Sequence, residues 1–127
     1  MRIAITGAAG GIGSTLVQHL HDQHHHLLLL DDLSNGYMEN LRGYYDLRSN
    51  LMRHDICDAD GLAKLLRTHG SEVVVHLAAI SSLPQCESDP GRCMRVNVAG
   101  TTAVLDACRR AGVGKMVFAS TGAIYEG

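Results

Sequence analysis

Three glycines at fixed spacing carry the first chemical signal of this chain. Gly7, Gly10 and Gly13 punctuate Thr6-Gly-Ala-Ala-Gly-Gly-Ile-Gly13, directly after the apolar run Arg2-Ile-Ala-Ile-Thr6. The first lets the backbone turn sharply out of a strand, the second keeps side-chain bulk away from a bound pyrophosphate, and the third lets a helix lie close on the sheet. A helix starting here offers unpaired N–H groups and a partial positive charge to an anion. A carboxylate completes the pattern: Asp31 closes the next apolar run, Leu27-Leu-Leu-Leu30, 18 residues after Gly13, where an acid can hold a ribose 2′-hydroxyl. Together these residues describe a dinucleotide site. A carboxylate accepts from a free 2′-hydroxyl but repels a 2′-phosphate, and Asp32-Leu-Ser-Asn-Gly36 contains no Arg or Lys, so NAD is expected rather than NADP. Asp32 reads equally well as the start of a turn and as a second cofactor contact.

Short apolar runs alternate with amphipathic stretches, which calls for strand-helix units and a parallel sheet. Strands are expected at 2–6, 26–31, 51–54, 72–77 and 115–119, helices at 11–22, 59–69 and 91–111, and a turn or short helix within 37–46. Ile12, Leu16 and Leu20 share a face of the first helix, and Leu62, Leu65 and Leu66 point inward on the second, with Asp58 as its N-cap. In the third, Met94, Val98, Thr101, Leu105 and Cys108 recur at spacings of three and four and are expected to be buried, with Gly112 and Gly114 ending the helix. Right-handed crossovers then give a Rossmann-like, doubly wound parallel α/β sheet of strand order 3-2-1-4-5. The ligand crevice belongs beyond the carboxyl ends of strands 1 and 4, where the order reverses.

The length of 127 residues suits one domain, and 46% hydrophobic and 19% charged residues are ordinary for a globular protein. A net charge of −2 gives no case for nucleic acid or an anionic membrane. No leader pattern and no apolar run near the ~18 residues of a membrane span is seen, so a cytoplasmic protein is expected. Cys57, Cys86, Cys93 and Cys108 form no C-x-x-C pair and are expected to be free, mostly buried thiols. His24, His25 and His26, with His19 and His21 before them, lack partners to complete a ligand set and read as a solvated helix end and turn, so no metal site is expected. His76, at the end of Val73-Val-Val75, reads as a satisfied core histidine.

Further motifs follow the glycine loop in order: Asp31-Asp-Leu-Ser-Asn-Gly36, Asp55-Ile-Cys-Asp58, His76-Leu-Ala-Ala79, Asp89-Pro90, Asn97-Val-Ala-Gly-Thr101 and Phe118-Ala-Ser-Thr-Gly-Ala-Ile-Tyr125. The series resembles the extended short-chain dehydrogenase family, and within it the NAD-dependent nucleotide-sugar epimerases and dehydratases, above all the UDP-glucose 4-epimerases. It runs from residue 2 to residue 126. The resemblance implies that Gly7, Gly10 and Gly13, with Gly11 and the Ile12 backbone between them, hold the pyrophosphate. It implies that Asp31 binds the adenosine ribose, that Asp32 and Asn35 line its rim, and that Asp55 and Ile56 flank the adenine. Leu77, Ala78 and Ala79 would run under the cofactor, and Asn97 would stand on the helix beside the active site. Thr121 matches the catalytic Ser or Thr that hydrogen-bonds the reacting sugar oxygen, with Ser120 the alternative one residue away. Tyr125 falls at a Val-Tyr-Gly-like position, where Glu126 displaces the usual glycine to Gly127.

One family element is missing from these residues. The family's chemistry needs Tyr-x-x-x-Lys, and Tyr37, Tyr44 and Tyr45 are followed four positions on by Leu41, Arg48 and Ser49. The expectation is therefore an incomplete NAD-binding domain over residues 1–127, truncated after strand 5, without the sugar-binding C-terminal domain of its parent enzyme. An isolated NAD-binding or sensing module without catalysis is the alternative. The uncovered edge at Lys115-Met-Val-Phe-Ala119 and the helix at 91–111 lead us to expect self-association.

Overall fold

Four consecutive leucines and three consecutive valines need cover on both sides, which a parallel sheet between helices supplies. The computed structural model describes residues 1–45 and 50–120. In chain order these form β1 (Arg2–Thr6), α1 (Gly11–Asp22), β2 (His26–Asp31), a 3-10 turn (Met38–Leu41), β3 (Leu51–Arg53), α2 (Ala59–His69), β4 (Val73–His76), α3 (Leu83–Ser88), α4 (Pro90–Met94), a π turn (Arg95–Gly100), α5 (Thr101–Ala111) and β5 (Lys115–Phe118). The sheet runs β3-β2-β1-β4-β5 with every pair parallel, as the sequence predicts. Thr6 is opposite Leu30 on one side and His76 on the other, so the ends of β1, β2 and β4 are level.

Alternate strand residues face opposite sides. Ile3, Ile5, Leu27, Leu29 and Leu51 pack with Ala8, Ala9, Val17 and Leu41 under α1 and the 3-10 turn. Ala4, Leu28, Leu30 and Val74 pack with Leu62, Leu66, Val104 and Ala107 under α2 and α5. Asp58 caps α2 by accepting the Gly61 N–H at 3.0 Å, and Gly70 and Gly112 end α2 and α5 in the left-handed conformation.

Three expectations are corrected. Ile12 is 77% exposed rather than packed with Leu16 and Leu20, because α1 turns the face carrying Gly13, Ser14 and Val17 inward. The helix expected at 91–111 is interrupted by the π turn, and Met94, Val98 and Leu105 are exposed, whereas Gly100, Val104, Ala107 and Cys108 are buried. The wide turn rotates the face, and close approach selects small residues: a Cβ on Gly100 would lie 2.6 Å from Ile56 Cδ1. Finally, Cys86 and Cys93 are joined in a disulfide rather than free. The chain reverses at Asp89, between α3 and α4, and brings their Cα atoms to 5.2 Å, a juxtaposition that a separation of seven residues does not reveal. Cys57 and Cys108 are free.

Candidate dinucleotide site

A cavity of about 900 Å³ opens beyond the carboxyl ends of the strands. Its floor is the glycine turn. Gly7 has φ +68°, and a Cβ there would come within 2.8 Å of the Ala78 backbone nitrogen, so only glycine permits both the turn and the approach to the segment after β4. A Cβ on Gly13 would collide with the Gly7 carbonyl oxygen, which places its constraint inside the turn itself. Gly10 and Gly11 differ: a Cβ on Gly10 meets only the Gly7 oxygen at 3.4 Å, and one on Gly11 meets nothing within 4 Å. Bare backbone there faces open space. Gly10 puts no side-chain cap on α1, and the first turn contains no acid, so the helix end is left to an anionic ligand.

Acidic residues build one wall. Asp31 accepts the Ala9 N–H at 2.9 Å on Oδ2 and the Leu33 N–H at 2.8 Å on Oδ1, thereby tying the glycine turn to the end of β2. Each carboxylate oxygen keeps a further lone pair for a ribose hydroxyl. Asp32 accepts the Ser34 N–H and hydroxyl at 2.9 and 2.7 Å, which makes it a turn residue while it also lines the cavity. Asp55 holds the Cys57 N–H at 2.9 Å, and Asn35 accepts from Gln85 Nε2 at 3.3 Å across the rim.

The opposite wall is the segment after β4. Thr6 Oγ1 accepts the N–H groups of Leu77 and Ala78 at 3.0 and 3.1 Å. Asn97, in the π turn, accepts the Ile80 N–H at 2.7 Å and donates to the Ile80 carbonyl at 2.8 Å. These two bonds clamp the backbone of the loop after β4. His76 is 1% exposed and bonded through both ring nitrogens, a satisfied core histidine, and burial pushes its pKa down to about 4.

A strand-glycine turn-helix cradle facing an acid at the end of β2 is a dinucleotide fold, and comparison with known proteins decides which. The family model for the NAD dependent epimerase/dehydratase family matches residues 3–127. The chain belongs to this family. It is 45% identical over 123 residues to the UDP-glucose 4-epimerase of Mycolicibacterium smegmatis, covering 96% of this chain and 39% of that protein. It is 34% identical over 112 residues to dTDP-glucose 4,6-dehydratase 1 of Escherichia coli, covering 86% of this chain and 31% of that protein. The UDP-glucose 4-epimerase of Thermus thermophilus, solved in complex with NAD, superposes with a TM-score of 0.86 at 37% identity, covering 96% of this chain and 38% of that one. The chain thus spans under two-fifths of the length of these epimerases.

Within this epimerase/dehydratase chain, the cavity gathers every cofactor-site residue expected from the sequence: the glycine turn with Ile12, Asp31, Asp32, Asn35, Asp55, Ile56, Leu77 to Ala79, and Asn97. Thr121 and Tyr125 lie outside the described residues; Ser120 lines the cavity. Arg92, not expected from the sequence, also lines it; it stands four positions before Val96, another lining residue, and so shares its helical face. Among the described residues its guanidinium has no hydrogen bond or ion pair. Gly36, the end of the Asp31–Gly36 motif, lines the cavity as well: a Cβ there would meet Ala9 at 2.9 Å and Asp31 Oδ2 at 3.0 Å, so it keeps the turn after β2 tight on the carboxylate. His21, His25, His26 and His69 flank a separate cleft of about 440 Å³ at the other end of the sheet, with Arg2, Tyr44 and Tyr45. Among the described residues no group of three or more His, Cys, Asp or Glu is placed to hold a metal, and no helix is long and apolar enough to cross a membrane.

Proposed function

We propose that residues 1–127 form an NAD-binding Rossmann domain and supply the cofactor half of a nucleotide-sugar epimerase or dehydratase, with UDP-glucose 4-epimerisation the favoured parent reaction. One observation carries this reading: bare backbone at Gly10 and Gly11 faces a cavity whose far wall holds Asp31, in a chain 45% identical to a UDP-glucose 4-epimerase. Gly7, Gly10, Gly11 and Gly13 would receive the pyrophosphate together with the Ile12 N–H, and Asp31 the adenosine ribose, with Asp32 and Asn35 at its rim. Asp55 and Ile56 would flank the adenine, Leu77 to Ala79 would underlie the nicotinamide side, and Arg92 would supply a cation for phosphate. NAD, when bound, supplies a hydride acceptor. Thr121 would hydrogen-bond the reacting sugar oxygen, but an unassisted hydroxyl is no base near neutral pH, and no Tyr-x-x-x-Lys occurs in these residues. The 127-residue chain is therefore expected to bind NAD and to leave nucleotide sugars unchanged by itself. A cytoplasmic setting and a self-associated state belong to the same proposal.

The test is equilibrium dialysis with NAD and NADP, alongside an assay for interconversion of UDP-glucose and UDP-galactose. NAD should bind in preference to NADP, and Asp31→Ala should weaken NAD by about 1–3 kcal/mol through loss of a charged hydrogen bond. Equal affinity for NADP, or an Asp31→Ala variant that binds NAD normally, overturns the cofactor assignment. Turnover by the chain alone overturns the division of labour.

A further inference from the structure

Behind the cavity wall stands a group that cofactor binding leaves unused. His76 does not line the cavity, yet its Nδ1 lies 2.7 Å from Thr6 Oγ1 and its Nε2 3.0 Å from Thr101 Oγ1. Proton directions follow from the neighbours. The Thr101 hydroxyl donates to the Asn97 carbonyl at 2.8 Å, so it accepts from Nε2–H; Nδ1 then offers its lone pair, and the Thr6 hydroxyl donates to it. The lone pairs of Thr6 Oγ1 are left to take the N–H groups of Leu77 and Ala78. Both ring nitrogens and both threonine hydroxyl protons are engaged, and the Leu77 N–H is shared between Thr6 Oγ1 and the Thr6 carbonyl oxygen at 3.2 Å. The brace reaches three segments of the wall: the residue before the glycine turn, the loop after β4, and the π turn whose Asn97 clamps Ile80. There is no slack between the first two, since a Cβ on Gly7 would stand 2.8 Å from the Ala78 nitrogen.

We propose that His76 is a positioning residue for dinucleotide binding, holding the glycine turn and the β4 loop at the separation the ligand requires through Thr6 and Thr101, without touching the ligand. The inference rests on the NAD reading. Its test is calorimetric titration of wild type, His76→Phe, Thr101→Val and the double variant with NAD, ADP-ribose and AMP. Thr102→Val is the control: Thr102 makes the same bond to the carbonyl four residues back, at 2.9 Å, but on the exposed side. Each single variant should weaken NAD and ADP-ribose about tenfold, leave AMP within about twofold, and the double variant should lose no more than either, since one brace is broken once. Thr102→Val should match wild type. Unchanged NAD affinity in His76→Phe overturns the inference, as do losses that add in the double variant, which would mean that Thr101 meets the ligand directly. An equal loss for AMP overturns it too, because general softening of the fold would then suffice. If His76→Phe does not fold, His76→Gln takes its place, because Thr101 itself lines the cavity and Thr101→Val alone does not separate a broken brace from a lost ligand contact. A wild-type chain that takes up no NAD overturns the binding reading as well, whereas normal uptake by wild type and both single variants overturns only the inference.

Discussion

The two walls of the cavity are built in different ways. On the β2 and β3 side, Asp31, Asp32 and Asp55 each hold the N–H of the residue two positions on, at 2.8 to 2.9 Å. On the β4 side the contacts join Thr6 to His76 and to Leu77, 70 and 71 residues apart, and Ile80 to Asn97, 17 apart. The acidic wall shapes its own loops largely locally, although Asp31 also reaches the Ala9 N–H 22 residues back, while the other wall exists only once the sheet and the helices above it are assembled. Damage to the second should therefore register in stability before it registers in ligand contact.

The glycine turn joins the two walls and gives the largest effects. Gly7→Ala imposes a side chain at φ +68° against the Ala78 backbone and should cost about 2–4 kcal/mol of stability. Gly11→Val, where a Cβ meets nothing within 4 Å, should leave stability within about 0.5 kcal/mol but weaken NAD at least about a hundredfold by filling the cradle. Urea denaturation and NAD titration on both variants check this. If the two substitutions behave alike, structural and ligand-facing glycines are not distinct.

Acid gives the next effect. The His76 imidazole takes a proton near its usual 6.5 when unfolded but only near 4 when folded, because burial disfavours the cation. Its contribution is complete above pH 6.5 and is lost as pH falls toward 4, amounting to about 3 kcal/mol. His69, lowered by burial and by Arg2, acts in the same direction. Urea midpoints at pH 7 and pH 4.5 should converge more in His76→Phe than in wild type; an equal acid loss in both would remove His76 from the balance.

How much of this was legible in the sequence follows the same division. Gly13 and Asp58 announce themselves because their roles depend on neighbours a few residues away; Gly7 and Asp31 are legible from the glycine spacing and the acid after it, although the contacts that fix them, to Ala78 and Ala9, are distant in sequence, and the strand order followed from right-handed crossovers between apolar runs. The inward face of α5 did not, because the π turn at Arg95–Gly100 shifts the helical phase that a three-and-four spacing assumes. Nor did the Cys86–Cys93 bond, which depends on the reversal at Asp89, or the proximity of His76 to Thr101. Nor was Arg92 legible, since five residues before Asn97 is about 140° away on a regular helix, and with the π turn between them both line the cavity.

The smallest effect belongs to the outer surface. Met94, Val98 and Leu105 are 61%, 53% and 53% exposed along the α4–α5 helix, and Val117 is 42% exposed on the β5 edge. The chain should self-associate there, and Val98→Lys with Leu105→Lys should shift it toward monomer in light scattering while changing unfolding stability by no more than about 0.5 kcal/mol. A wild-type chain that stays monomeric at high concentration contradicts this.

The central claim is that a dinucleotide occupies the cavity at the carboxyl ends of the strands, and the backbone amide NMR signals followed during an NAD titration test it most directly. Saturable shifts are expected for Gly10 to Gly13, Ala9, Leu33, Ile56 and Leu77 to Ile80, with His21, His25, His26 and Tyr44 in the opposite cleft unmoved. Shifts centred on that histidine cleft, or none in the glycine turn at saturating NAD, would contradict it.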